Sequence, residues 1–238
     1  MSNILSMKWI NELLYTTRDK VVLEILDDMR LLKLIIQRII MLIKENKMER
    51  VLFYITELVY EGYMNTTRMT TIVDIACKYK RYKLLDNIFK NSLIDYNIIC
   101  FVLEQAYKID DVNILKTFTK NYKNDFGCII DMIYTAIAHK AEKIVIYLLR
   151  IFGHYSDDII IACIDMEMYK TFKYILNMGI VDNVDIVFTS LCCVNNISLI
   201  KQYIMLFPNV NTMNGLMMAS ANGFTDIIEF IQSLHRGY

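Results

Sequence analysis

The chain has 238 residues, of which 55% are hydrophobic and 22% charged, and this composition excludes an intrinsically disordered chain. One proline and seven glycines are too few for the turns of a β-sandwich or β-barrel, so helices joined by short polar turns are expected. The 26 basic and 26 acidic residues give no net charge. Nucleic-acid-binding proteins usually carry a basic excess, so the composition argues against that class of protein.

The first strongly apolar stretch covers residues 31–43 and is interrupted by Lys33, Gln37 and Arg38. It is shorter than the roughly 20 apolar residues that a membrane span needs, so it predicts a buried helix. Residues 1–10 contain no apolar segment followed by a small-residue cleavage site, so no signal peptide is expected. The sequence therefore predicts a protein without a membrane segment.

Six cysteines are spread along the chain without any Cys-x-x-Cys pair. They are Cys77, Cys100, Cys128, Cys163, Cys192 and Cys193. All six lie in apolar helical contexts, where a free cysteine behaves as a small hydrophobic residue. Free cysteines predict a reducing compartment.

An internal repeat runs along the whole chain and predicts the fold. Each repeat has an anchor residue at the start of its second helix, and the anchors in chain order are Lys20, Arg50, Lys83, Asn113, Lys143, Lys170, Ser198 and Asp226. Successive anchors are 30, 33, 30, 30, 27, 28 and 28 residues apart. The residues one, two and five positions after each anchor are almost all apolar, with Thr171 an exception, and they share one helical face. Each anchor therefore begins an amphipathic helix.

Seven positions before the anchor, five of the eight repeats carry a small residue, which predicts close approach between packed helices. We call these five residues the small-residue column, and they are Ala76, Ala106, Ala136, Cys163 and Ala219. Short polar turns follow them, so each repeat is interpreted as helix, turn, helix. Residues 1–238 are therefore predicted to form one domain, an all-α solenoid of about eight helix-turn-helix repeats, with a non-repetitive helical bundle as the alternative.

The last repeat resembles the ankyrin repeat. The family pattern of Leu-x-x-Ala, Asn-Gly and Glu/Asp-Ile-Val is matched by Leu216, Ala219, Asn222-Gly223 and Asp226-Ile227-Ile228. Gly179 stands where the family has its post-helix glycine, and Asn209-Val210-Asn211 stands where it has Asp-Val-Asn. The resemblance implies ankyrin-like helix pairs. It leaves open the family's projecting β-hairpin, because the Thr-Pro-Leu-His opening is absent.

Residues 195–203 and 207–211 are similar to a repeat from the multigene families of African swine fever virus, a large DNA virus. The resemblance implies a viral protein of the host cytoplasm that interacts with a host protein. It further implies an effect on host range or on innate, interferon-dependent responses, and thus a part in immune evasion. It implies no named target.

Candidate catalytic and metal-binding residues are few. His139, His154 and His235 are scattered over different repeats, so no metal site is expected. Cys163 and His139 lie in neighbouring repeats and allow a nucleophile pair, but the small-residue column already explains Cys163 by packing. The sequence accordingly predicts neither an enzyme nor a cofactor.

Three pairs of adjacent acids are candidates for general acid/base groups: Asp27-Asp28, Asp110-Asp111 and Asp157-Asp158. They fall at helix ends or turns, where acids commonly cap helices or face solvent. Ser156, which precedes the last pair, is expected to be the N-cap of a helix.

A basic and aromatic stretch occupies residues 78–83, with the sequence Lys-Tyr-Lys-Arg-Tyr-Lys. Lys78, Lys80 and Arg81 are the candidate binding residues, in an exposed turn between two helices. A surface for a host protein is the favoured hypothesis, because helical solenoids bind through shape and side chains. The alternative is a nucleic-acid-binding solenoid in which this stretch contacts phosphates and stacks bases.

Overall fold

The computed structural model describes residues 29–60, 62–90, 96–121, 129–153 and 155–236, and in these ranges the chain forms fourteen α-helices and no β-strand. The predicted all-α class is confirmed. The helices are α1 (Met29–Lys44), α2 (Met48–Tyr60), α3 (Thr66–Lys78), α4 (Tyr82–Lys90), α5 (Tyr96–Lys108), α6 (Val112–Asn121), α7 (Ile129–Ala138), α8 (Glu142–Phe152), α9 (Asp157–Asp165), α10 (Tyr169–Asn177), α11 (Val184–Leu191), α12 (Ile197–Leu206), α13 (Met213–Asn222) and α14 (Thr225–Arg236). The repeat anchored at Lys20 lies outside the described residues.

Helix α1 contains the apolar stretch for which a buried helix was expected. Its buried apolar side chains lie on one face of the helix, and they are Leu32, Ile35, Ile39, Leu42 and Ile43. Arg38 is buried beside them. Lys33 and Gln37 are exposed on the other face, so the prediction is confirmed. Within the described ranges, no helix combines the length and the apolar character that crossing a membrane requires.

The apolar stripe predicted after each anchor is buried in the second helices of the hairpins. In α4, α6, α8, α10 and α12, the residues one, two and five positions after the anchor are all buried. This includes Thr171 in α10, the one polar member of the stripe in these five helices. The periodicity of the sequence therefore identified the core-facing side of these helices.

Six of the seven described hairpin turns share one backbone geometry. Each contains a residue with φ between 50° and 72°, in the left-handed region, and these residues are Asn46, Lys80, Asp110, Lys140, Glu167 and Gly223. The residue after it donates its N–H to the carbonyl five positions earlier, which is the Schellman motif that ends helices. The turn between α11 and α12 differs, and there the Asn196 side chain caps α12 by accepting the N–H of Leu199 at 3.2 Å.

The main-chain carbonyls of the small-residue column accept the hydrogen bonds that close these turns. Its five predicted members are fully buried, and each carbonyl accepts the Schellman N–H of its turn. In α1 the equivalent carbonyl belongs to Leu42, which accepts from Lys47. Because the anchor stands seven residues after the accepting carbonyl in the other repeats, the anchor of α2 is Glu49, one residue before Arg50.

The described residues fall into two compact units, and hairpins pack on hairpins within each. In the first unit, residues 29–106 and 111–121, α1 packs on α2 and α3, α3 on α4, and α4 on α6. In the second unit, residues 107–110 and 129–236, α7, α9, α11 and α13 pack in succession and α8 packs on α10. First helices thus contact first helices, and second helices contact second helices.

Aspartates at the start of first helices join successive hairpins in the second unit. The Asp157 carboxylate accepts the main-chain N–H of Asn183 at 2.7 Å, and the Asp185 carboxylate accepts that of Asn211 at 2.8 Å. Asp157 and Asp185 stand at the same position of their repeats, thirteen residues before Lys170 and Ser198. The links at 178–183 and 207–212 contain no β-strand, so neither forms the ankyrin β-hairpin.

Candidate interaction surface

The three candidate binding residues lie in the turn between α3 and α4, but they differ in exposure. Lys78 is the exposed last residue of α3, and Lys80 is the exposed left-handed residue of the turn, with φ 54°. Arg81 is only half-buried, and its side chain turns back towards the preceding hairpin. The two lysines therefore face solvent, whereas the arginine has a partner within the fold.

Arg81 binds the C-terminal end of α1. Its Nε donates to the carbonyl of Ile43 at 2.8 Å, and its Nη2 donates to the carbonyl of Lys44 at 2.7 Å. The last carbonyls of a helix have no partner within the helix and carry the negative end of its dipole. A guanidinium placed there satisfies two of them and offsets their charge, so Arg81 holds the two neighbouring turns together.

This contact brings additional lysines beside the predicted stretch. The Lys44 Nζ lies 6.0 Å from the centroid of the Tyr79 ring, within range of a cation–π contact, and both Lys44 and Lys47 are exposed. We call the exposed basic and aromatic side chains of the two turns the basic turn surface, and they are Lys44, Lys47, Lys78, Tyr79, Lys80 and Lys83. Sequence reasoning missed Lys44 and Lys47. With Glu49 as the anchor of α2, Lys44 falls in the same repeat position as Lys78.

The two tyrosine side chains of residues 78–83, Tyr79 and Tyr82, both make contacts within the fold. Tyr82 donates its hydroxyl to the Asp111 carboxylate at 2.8 Å, and Asp111 is only 8% exposed. Burial, followed by this hydrogen bond, raises the pKa of Tyr82. Tyr79 is 37% exposed and has the Lys44 ammonium over its ring. The Tyr82 hydroxyl is therefore engaged within the fold, whereas the Tyr79 ring stays exposed.

The histidines are dispersed in the structure as well as in the sequence. His139 is exposed in a turn and stacks on Tyr107, with ring centroids 6.1 Å apart. His235 Nε2 lies 2.8 Å from the Thr212 hydroxyl, and His154 lies outside the described residues. Across the described ranges, no group of three or more His, Cys, Asp or Glu side chains is placed to hold a metal ion.

Cys163 is fully buried in α9. Burial, and to a smaller extent the charge of Glu142, raises the pKa of its thiol to about 12. The thiol therefore stays protonated near neutral pH, whereas a nucleophilic cysteine must be a thiolate. Burial likewise raises the pKa of Cys77 and Cys192 to about 12.

Of the adjacent acids that the structure describes, Asp110, Asp111 and Asp157 bind main-chain N–H groups. Asp110 accepts the N–H groups of Lys143 and Ile144 at 3.3 and 3.1 Å, and so caps the start of α8. Ser156 caps α9 as expected, by accepting the N–H of Ile159 at 3.4 Å. Asp157 joins successive hairpins as described above, and Asp27-Asp28 lies outside the described residues.

No protein-family model, curated protein or solved structure matches the chain. The resemblance to ankyrin repeats and to the African swine fever virus families therefore rests on the sequence positions quoted above. It supports a hypothesis about the origin and function of the chain.

Proposed function

We propose that the chain is an ankyrin-like helical solenoid that acts as a non-enzymatic scaffold for protein–protein interaction. The observation that carries the proposal is the recurrence of one turn geometry in six hairpins, each stacked within its unit on its neighbours. Repeat proteins built in this way present side chains from successive turns and helices as an extended binding surface. Such a surface recognises a partner without any reactive group.

We further propose that the partner is a host protein. On this view the chain is a viral host-interaction factor of the host cytoplasm, affecting host range or interferon-dependent responses. Two features of the sequence support this proposal. Residues 195–203 and 207–211 are similar to a repeat of the viral multigene families, and the last repeat resembles the ankyrin repeat.

The state of the candidate nucleophile supports a non-enzymatic function. Cys163 is fully buried, and burial holds its thiol in the protonated form. His139, its candidate base, is exposed in a turn and stacked on Tyr107. Packing of the small-residue column accounts for Cys163 without any catalytic role.

Nucleic-acid binding through residues 78–83 is the second candidate function. The addition of Lys44 and Lys47 to the basic turn surface favours it, since phosphates attract clustered lysines. Against it stand the engaged hydroxyl of Tyr82 and the zero net charge of the chain.

Affinity capture of the full chain from host cells tests the proposal, with nuclease-treated and untreated lysates compared side by side. The scaffold function predicts a host protein that co-purifies in equal amounts with and without nuclease. Loss of every captured protein on nuclease treatment would favour the nucleic-acid hypothesis instead. Absence of any specific partner in both lysates would count against the scaffold.

A further inference from the structure

We propose that the basic turn surface binds an acidic polypeptide segment of the partner protein. This inference rests on the proposed scaffold function and specifies the chemistry of its partner. It goes beyond the three residues that the sequence singled out, because the surface spans two hairpin turns that Arg81 joins.

Basic side chains outnumber acidic ones along the two turns that form this surface. Residues 44–50 and 78–83 contain seven basic and two acidic side chains, in a chain whose net charge is zero. The five lysines of the surface are exposed, and none forms an ion pair with a described residue. Clustered charges of one sign create a potential that attracts and orients a partner of the opposite sign.

The main chain of both turns is fixed before any partner arrives. Asn46 and Lys80 each occupy the left-handed position of a Schellman motif, which sets the path of the chain around them. Two hydrogen bonds from Arg81 then fix the second turn against the end of α1. Because these groups are already ordered, binding loses less conformational entropy than it would on a free loop.

Two features favour a polypeptide over a nucleic acid. First, nucleic-acid-binding proteins usually carry a basic excess, whereas the 26 basic and 26 acidic residues of this chain cancel. Second, single-stranded nucleic acids stack successive bases on several aromatic rings, whereas Tyr82 is half-buried with its hydroxyl bound to Asp111, which leaves Tyr79 as the exposed ring of residues 78–83.

The exposed cations of the two turns are lysines, since Arg50 is half-buried and the guanidinium of Arg81 is occupied by main-chain carbonyls. Separate ammonium groups bind anions as point charges. Spaced Glu or Asp side chains on an extended segment fit such an array. Glu45 and Glu49 can then pair with any basic residue that flanks the acidic ones.

Fluorescence-anisotropy titration of the full chain tests the proposal. The probes are a labelled glutamate-rich peptide of about twelve residues, the same peptide with glutamine in place of glutamate, and a single-stranded DNA of similar charge. At about 50 mM salt, the glutamate peptide should bind more tightly than the DNA, and the glutamine peptide should not bind. Its affinity should fall as the salt concentration rises.

Charge reversal locates the binding site. The triple variant Lys44→Glu, Lys78→Glu, Lys80→Glu should weaken binding of the glutamate peptide by at least about tenfold. The matched control Lys140→Glu, Lys170→Glu, Lys173→Glu makes the same charge change at exposed lysines of the second unit, and should weaken it less than about threefold. If the triple variant is misfolded by circular dichroism, Lys→Gln at the same three positions takes its place.

Equal binding of the glutamate and glutamine peptides, or equal loss in the two triple variants, would overturn the inference. Tighter binding of DNA than of peptide would overturn it in favour of nucleic acid. Cell capture separates this failure from failure of the scaffold function. A host protein retained by the charge-reversed chain contradicts the acidic-segment inference alone, whereas the absence of any partner for the wild type contradicts the scaffold.

Discussion

The guanidinium of Arg81 donates a 2.7 Å hydrogen bond to the main-chain carbonyl of Lys44, the last residue of α1. The bond joins two hairpin turns that are distant in sequence. It also separates the roles within the basic stretch, because Arg81 stabilises the stack while the lysines around it face solvent.

Replacing Arg81 with Met tests this role. Met keeps an apolar stem but donates no hydrogen bond to Ile43 or Lys44, so the unfolding free energy should fall by about 1–2 kcal/mol. Lys80→Met, at an exposed neighbour, should change it by less than about 0.5 kcal/mol. Urea unfolding followed by circular dichroism measures both. Equal stabilities would show that the Arg81 hydrogen bonds contribute nothing.

The buried hydroxyl of Thr171 has no hydrogen-bond partner among the residues that the structure describes. Thr171→Val removes this unsatisfied group and adds apolar contact, so the chain should become more stable by about 1 kcal/mol. Thr189→Val is the matched control, because the Thr189 hydroxyl donates to the Asp185 carbonyl at 2.7 Å, and it should bring no gain. A loss of stability in Thr171→Val would mean that its hydroxyl has a partner in solution.

Gly215 allows α13 to pack closely on α11. A Cβ at this position would lie 2.8 Å from the Cys192 Sγ and closer still to the Phe188 ring. Gly215→Ala should therefore lower stability by about 1–3 kcal/mol, although alanine is the better helix former. Ser220→Ala, on the exposed side of the same helix, should be neutral or slightly stabilising in thermal unfolding. Unchanged stability in Gly215→Ala would contradict this packing.

Asp86 links α4 to α6 and should make stability depend on pH. A hydrogen bond from Asn121 at 2.9 Å, followed by one from Lys90 at 2.6 Å, lowers the pKa of Asp86. A carboxylate whose pKa is lower in the folded state stabilises the fold above its unfolded pKa, and this contribution disappears as pH falls through the folded pKa. Asp86→Asn should therefore cost up to about 1 kcal/mol at pH 7.

The cost of Asp86→Asn should begin to shrink below about pH 4, the ordinary pKa of aspartate, and should vanish in stronger acid. Urea unfolding of wild type and variant over a series of pH values measures the difference. A cost that stays the same over the whole series would show that the charge of Asp86 is not responsible.

Hydrophobic periodicity in the sequence was sufficient to predict the helical class and the buried faces. The stripe in α4, α6, α8, α10 and α12 and the small-residue column are both buried, because each reflects the repeating requirement that one helix packs on the next. The position of a repeat anchor was harder to assign where neighbouring residues are all apolar. Leu42 and Ile43 are both fully buried, so the sequence could not show which supplies the turn's acceptor carbonyl.

The composition of the basic turn surface could not be predicted in the same way. Arg81 looks like its lysine neighbours in the sequence, and only the position of the α1 carbonyls shows that its charge is used inside the fold. Lys44 joins the surface because successive hairpins stack, a contact between repeats that no local pattern encodes. Partner choice depends on such surface detail.

The central claim is that the chain acts through a surface and not through a reactive group. The most direct test is the amount of nuclease-resistant host protein captured by the Cys163→Ser variant, compared with the wild type, once circular dichroism shows both to be folded. Because the Cys163 thiol is buried and protonated, we expect equal capture and undiminished function in infected cells. Loss of function with the fold intact would contradict a surface-based function and favour an enzyme.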